Sequence, residues 1–247
     1  MFKDIKQVMK DSVLYGIGNV AVKLVGFILI PLYTDAEYFS TADYGLMGLL
    51  EVTSQILIAV MGLSLYSGLI RWYWDAEYRD KQKTIFFTTL LFTILTSLCI
   101  GSVLWLNVGE LSALLVQQEG YSLGGELPYI LQLLILTSML GAVVEVPQNL
   151  LRLQRKPIYY SLTNIVRLFV TLVLTIYFTI SLHRGVSGVY EAQLVGIVIQ
   201  LLMVLPLVIK NSSCRVDRKC TIQLLVYSYP LVFPAIVGSL LTVFDRY

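Results

Sequence analysis

Residues 128–150 read PYILQLLILTSMLGAVVEVPQNL, and residues 151–157 continue as LRLQRKP. The first stretch carries one charged residue, Glu145, over a length that, as a helix rising 1.5 Å per residue, crosses a bilayer core of roughly 30 Å. The second places Arg152, Arg155 and Lys156 in a short polar turn. An apolar span closed by a basic loop is the repeating unit of a polytopic membrane protein. Working outward, the pattern predicts helical spans at about 12–32, 44–70, 84–106, 128–150, 158–182, 186–209 and from 224 onward.

Composition agrees. The chain has 247 residues, 57% of them hydrophobic and 14% charged, with mean hydropathy +0.75. A soluble domain carries about 25% charged residues, and a disordered one is far less apolar. Eighteen Lys and Arg against sixteen Asp and Glu leave no basic face for nucleic acid. Cys99, Cys214 and Cys220 form neither a disulfide framework nor a metal-ligand pattern.

Loop charge predicts the orientation. Residues 1–11 hold Lys3, Lys6 and Lys10. Loop 71–83 holds Arg71, Arg79, Lys81 and Lys83, and loop 210–223 holds Lys210, Arg215, Arg218 and Lys219. The alternate loops 33–43, 107–127 and 183–185 hold Arg184 alone. Positive charge stays on the cytoplasmic side, so the N-terminus is expected there. The predicted organisation is a cytoplasmic N-terminus (1–11), a six-helix lobe (12–209), a cytoplasmic linker (210–223) and a seventh helix opening a second lobe (224–247). That helix stops at Tyr247 without a polar tail, so the chain is expected to be a fragment. No signal peptide is expected, because Lys23 interrupts the first apolar run and no small-residue cleavage site follows.

Three smaller expectations accompany the spans. Phe2, Ile5 and Met9 share one helical face with lysines elsewhere, so residues 2–10 read either as an amphipathic helix on anionic lipid or as a frayed terminus. Leu111, Leu114 and Leu115 suggest a short interfacial helix in loop 107–127, and Trp72, Tyr73, Trp74 and Tyr78 suggest an interfacial aromatic belt. The first and seventh spans also correspond at a shift of 212 residues. Tyr15, Val20, Val25, Gly26 and Leu29 fall on Tyr227, Val232, Val237, Gly238 and Leu241, as a parallel repeat of about six helices would give.

Ionisable groups at mid-membrane cost at least roughly 2.5–3.5 kcal/mol each and need a partner or a wet cavity. Here they are Lys23, Glu51, Glu145, Arg167, Glu191, Asp245 and Arg246. Four of them sit on a small or polar stripe: Lys23 with Ser12, Gly16, Asn19 and Gly26 on the first span, Glu51 with Gly48, Gln55 and Gly62 on the second, Glu145 with Ser138, Gly141 and Gln148 on the fourth, and Arg167 with Asn164 and Thr171 on the fifth. Several such stripes predict a common polar interior lined by Asn19, Gln55 and Asn164. The bland alternative is close helix packing plus buried ion pairs. Counting from the loops, Lys23 and Glu51 lie within about 3 Å of each other in depth, and Glu145 and Arg167 within about 6 Å, so both pairs could form across adjacent helices.

The order of motifs resembles the polysaccharide (O-antigen or repeat-unit) flippases of the multidrug/oligosaccharidyl-lipid/polysaccharide (MOP) exporter superfamily. The residues carrying the resemblance are Ser12 to Gly16, Lys23, Pro31 to Tyr33, Asp43-Tyr44-Gly45, Gly62-Leu63, Arg71-Trp72-Tyr73, Glu145-Val146-Pro147, Leu151-Arg152, Gln154-Arg155 and Asp245-Arg246-Tyr247. The resemblance implies an all-α membrane fold of two six-helix lobes. The implied activity is flipping of undecaprenyl-pyrophosphate-linked oligosaccharide to the periplasmic leaflet, by rocking of the lobes on a sodium or proton gradient and with no cofactor. Lys23, Arg167 and Arg246 would then meet the pyrophosphate, Arg with two parallel hydrogen bonds and Lys as a point charge. Glu51, Glu145, Glu191 and Asp245 are ion-coupling or ion-pair candidates. The implied partners are the lipid-linked oligosaccharide, membrane lipid, a polysaccharide polymerase and a chain-length regulator.

Rival readings are a lipid II-type flippase and a multidrug cation antiporter of the same fold. The antiporter would prefer an acidic, aromatic cavity. A membrane enzyme is disfavoured, because His183 stands alone in an outside loop and no nucleophile–base set or metal cluster appears. A scaffolding protein would leave the polar stripes unexplained.

Overall fold

The computed structural model describes residues 27–35, 37–119, 125–213 and 215–244, and among these every regular element is helical. Residues 27–33 form α1. The remaining helices are α2 (Thr41–Gly62), α3 (Leu65–Trp72), α4 (Gln82–Leu106), α5 (Val108–Glu119), α6 (Leu127–Leu153), α7 (Pro157–Ile176), α8 (Gly185–Asn211) and α9 (Arg218–Phe244). Six helices are long and apolar enough to cross a membrane: Thr41–Gly62, Tyr78–Leu106, Leu127–Leu153, Pro157–Ser181, Gly185–Asn211 and Arg218–Gly238. The predicted first span and the amphipathic reading of 2–10 lie outside the described residues, apart from the helical turns at 27–33. The third to seventh spans stand where hydropathy places them.

Local chemistry sets the ends. Ser40 and Asp43 form a capping box that starts α2: the Asp43 backbone N–H donates to Ser40 Oγ at 3.2 Å, and the Ser40 N–H to Asp43 Oδ2 at 2.9 Å. Pro128 and Pro157 sit in the first turns of α6 and α7, where no N–H is needed. A short helix stands at the place predicted in loop 107–127, as α5.

The helices alternate in direction, and their connections fall into two groups. At one end, loops 73–81, 154–156 and 212–217 are tied together. Lys81 Nζ pairs with Asp217 at 2.7 Å, Thr84 meets Ser213 at 3.2 Å, and Gln154 Nε2 donates to Asn211 Oδ1 at 2.9 Å and to Tyr73 Oη at 3.2 Å. At the other end, Tyr38 stacks on His183, Arg184 pairs with Glu191, and Tyr129 Oη donates to Glu191 at 2.8 Å. The first group carries nearly all the loop Lys and Arg and is the basic end; the second carries Arg184.

Each end has its own apolar core. Leu46, Leu50, Leu127, Ile130 and Val189 are among the side chains packed near the sparse end, and Leu69, Phe86, Leu150, Leu151 and Leu224 near the basic end. Small residues bring helices close. A Cβ on Gly68 of α3 would approach Leu224 Cδ2 of α9 to 2.6 Å, and one on Gly196 of α8 would land on Thr171 Oγ1 of α7.

Two expectations change. The second span is not continuous to residue 70: it breaks at Leu63 and Ser64, both in the left-handed backbone region (φ 46° and 49°). The Thr96 hydroxyl of α4 donates to the Met61 carbonyl at 2.7 Å, supplying a partner at the interrupted helix end. Apolar content alone does not register this break, because Leu63 is as hydrophobic as its neighbours. The aromatic belt is also not a belt. Tyr73 and Tyr78 are buried in the basic-end core, with the Tyr78 hydroxyl bonded to Gln223, whereas Trp74 is exposed. Side-chain hydrogen bonds across the loops draw both tyrosines inward.

Candidate functional site

Residues of α2, the break, α6 and α9 line an open cavity of about 330 Å³. Its walls are Gln55, Ile58 and Ala59 of α2, Ser64 and Tyr66 at the break, Glu145 of α6, and Ala235 and Gly238 of α9. Glu145 lies about 12 Å along α6 from the basic end. Its backbone carbonyl accepts from Asn149 Nδ2 at 3.0 Å, while no described residue donates to its carboxylate. Ser64 is buried, and its Oγ has no hydrogen-bond partner among the described residues.

A second polar cluster lies between α7 and α8. Arg167 Nη1 donates to Gln200 Oε1 at 3.1 Å, Gln200 Nε2 donates to Asn164 Oδ1 at 2.9 Å, and Asn164 Nδ2 donates to the Tyr160 carbonyl at 2.9 Å. Every amide in this relay is oriented by the next, so a carbonyl oxygen faces the guanidinium. Gln200 is fully buried, and the close approach at Gly196 holds the two helices together beside it. Among the described residues no carboxylate stands within ion-pair distance of Arg167. Arg offers five N–H donors in a planar fork, and one is used here.

The expected polar residues are therefore dispersed. Gln55 and Glu145 share the cavity. Arg167 and Asn164 face α8, not that cavity, and the expected Glu145–Arg167 pair is not made: α8 lies against both α6 and α7 and supplies Gln200 as the closer partner. Glu191 is at the sparse end, bonded to Arg184 and Tyr129. Glu51 lies on α2 at an exposed position, with a partner of its own. Lys23, Asn19, Asp245 and Arg246 lie outside the described residues. The rest of the predicted stripe on α6 serves packing: Ser138 meets Ser54 at 3.0 Å, Gln148 Nε2 donates to Thr163 Oγ1 at 2.9 Å, and Gly141 lies against Ile58.

Sequence reasoning missed Gln200, Ser64 and Tyr66. Gln200 was visible as a lone amide in an apolar span. The run Gly62-Leu63-Ser64-Leu65-Tyr66-Ser67-Gly68 was the trace of the break, being unusually rich in small and hydroxyl residues for a membrane helix. Among the described residues no group of three or more His, Cys, Asp and Glu could hold a metal ion, and Cys99 and Cys220 are free.

Solved structures supply the comparison. An outward-facing multidrug resistance MATE family transporter of the MOP superfamily superposes with TM-score 0.72 at 18% identity, over 95% of this chain and 52% of its own. This is a MATE/MOP transporter fold. A MOP superfamily transporter from Pyrococcus furiosus, described by a reversed polarity of its binding pocket, matches with TM-score 0.72 at 19% identity, over 95% of this chain and 52% of its own. The Vibrio cholerae MATE transporter matches with TM-score 0.65 at 15% identity, over 95% and 53%. The chain thus spans about half the length of the MATE-fold structures it matches. No family model matches the chain, and no curated protein does. Six apolar helices in this fold make the chain a multi-pass membrane protein.

Proposed function

We propose that this chain supplies the first lobe, and the helix opening the second, of a transporter that flips an undecaprenyl-pyrophosphate-linked oligosaccharide from the cytoplasmic to the periplasmic leaflet. The basic end would face the cytoplasm of a cell with an inner membrane. The observation that carries this reading is Arg167. A guanidinium held inside a membrane lobe by neutral amides keeps its full positive charge, and its unused donors match the oxygens of a pyrophosphate. A cation retained at such a cost, at least roughly 2.5 kcal/mol, is best explained by an anion that visits it. Lys23 and Arg246 are proposed to join it from the first and seventh spans. The Pyrococcus furiosus neighbour supports the idea that this fold accommodates pockets of opposite polarity. Gradient coupling by sodium or protons, and work alongside a polymerase and a chain-length regulator, belong to the same proposal.

Multidrug cation antiport is the second reading, and one observation favours it. The cavity beside the break combines the Glu145 carboxylate with the Tyr66 ring, a pairing suited to organic cations. Deleting the gene and analysing lipid-linked sugars separates the two. The flippase reading predicts accumulation of undecaprenyl-linked oligosaccharide on the cytoplasmic side and unchanged resistance to cationic dyes. Raised dye sensitivity with normal lipid-linked sugars would favour the antiporter.

A further inference from the structure

We infer that Arg71, held by Trp72 and Tyr227, forms a site for the phosphate of an anionic glycerophospholipid such as phosphatidylglycerol, in the leaflet at the basic end. The inference stands on the junction of α3 and α9 and holds whichever cargo the transporter carries. Arg71 lies in the last turn of α3 and is exposed. Its guanidinium carbon sits 4.7 Å from the centre of the Tyr227 ring of α9 and 5.9 Å from that of Trp72, and the two rings meet edge to face at 5.2 Å. Gly68 makes the arrangement possible. Having no side chain, it lets Leu224 and Ser228 of α9 come against α3, which brings Tyr227, between them, over Arg71.

Stacking uses the faces of a guanidinium and leaves its edge free. Five N–H donors lie in that plane, and among the described residues none of those on Arg71 has an acceptor, nor does a carboxylate stand within ion-pair distance. With the rings fixing its orientation, the fork can offer two parallel N–H groups to two oxygens of one anion. Charge and surroundings select the occupant. One guanidinium balances one negative charge, as a phosphodiester carries, whereas a pyrophosphate carries at least two. A choline headgroup adds a cation that the guanidinium repels, and the rings that could receive it already stack on Arg71. A soluble phosphate would leave unused the apolar surface beside the fork. On α9, Val226, Pro230, Phe233, Val237 and Leu241 recur at spacings of three and four and are exposed, a stripe that starts beside Tyr227 and runs away from the basic end. A headgroup on Arg71 with an acyl chain along this stripe uses both features.

Brominated lipids quench tryptophan fluorescence on contact, and Trp72 lies in the site. The test uses the full-length protein with every tryptophan except Trp72 replaced by phenylalanine, in vesicles of phosphatidylcholine and phosphatidylglycerol with one or the other lipid brominated. Phosphatidylglycerol should be enriched about fivefold over phosphatidylcholine at Trp72. Arg71→Gln should bring the two lipids to parity, and Arg71→Lys should keep part of the preference, because charge survives without the fork. Lys210→Gln, which removes another exposed cation of the basic end, should leave the preference intact. Parity before any change at Arg71 would overturn the site, as would a preference that survives Arg71→Gln. Equal losses in Arg71→Gln and Lys210→Gln would overturn it too, by showing diffuse attraction to a basic surface. Displacement of phosphatidylglycerol by inorganic phosphate, or by undecaprenyl pyrophosphate at equal mole fraction, would assign the fork to a soluble anion or to the lipid carrier and contradict the inference.

Discussion

Arg167 shows what one residue costs and what holds it. Its single described acceptor is the carbonyl of a buried amide, and that amide is fixed by Asn164. Gln200→Leu should strand the guanidinium at a cost of at least about 1–3 kcal/mol, and Gln200→Glu should form an ion pair that neutralises it. We expect Gln200→Leu to lower the detergent melting temperature. Gln200→Glu should keep the protein folded while export fails, because the charge meant for the substrate is spent internally. Export by a well-folded Gln200→Glu protein would contradict the substrate role. Asp217 illustrates a surface case. It caps α9 by accepting from the Lys219 N–H at 3.0 Å, and it pairs with Lys81. The Lys81 hydrogen bond holds its carboxyl below the usual aspartate range. A depressed value means that the contribution is present above the ordinary aspartate value, about 3.9, and is lost as pH falls through the lower folded value. Amide exchange at Lys219 and Cys220, corrected for intrinsic rates, should accelerate below about pH 4 in the wild type. In Asp217→Asn that acid step should be missing.

At the scale of elements, the break in the second span and the α7–α8 contact are the informative features. Ser64→Gly removes a left-handed strain and an unpaired buried hydroxyl together. It should raise stability by about 1–2 kcal/mol. A destabilised Ser64→Gly protein would argue that the hydroxyl is satisfied in the membrane. Gly196→Ala should destabilise by about 1–3 kcal/mol, since its Cβ would land on Thr171 Oγ1. Most helix positions were legible in the sequence, because each crossing needs a long apolar run and little else. The break was not, since it depends on backbone angles at two residues and on a hydroxyl from α4. The partner of Arg167 was not legible either. Depth arithmetic from loop ends locates a residue along its helix but not around it, and it was the rotation of α7 that turned Arg167 toward α8.

For the molecule as a whole, the segregation of loop charge and the antiparallel ladder say the same thing by different means. Loops that share positive charge in the sequence meet at one end in space, tied by Lys81–Asp217 and Gln154–Asn211. In a background with Cys99, Cys214 and Cys220 replaced by serine, Asp80→Cys should react with impermeant thiol reagents only in inverted vesicles. Glu110→Cys should react in intact cells. Labelling of both from one side would break the topology. The account joins an anion held at Arg167 to movement across that topology, and export by the full-length protein carrying Arg167→Ala tests the join most directly. Surface polysaccharide is measured beside a membrane immunoblot. The prediction is normal protein level, lost surface polysaccharide and accumulated lipid-linked oligosaccharide, with partial recovery in Arg167→Lys because charge survives without the planar fork. Normal export by a well-expressed Arg167→Ala protein would contradict it.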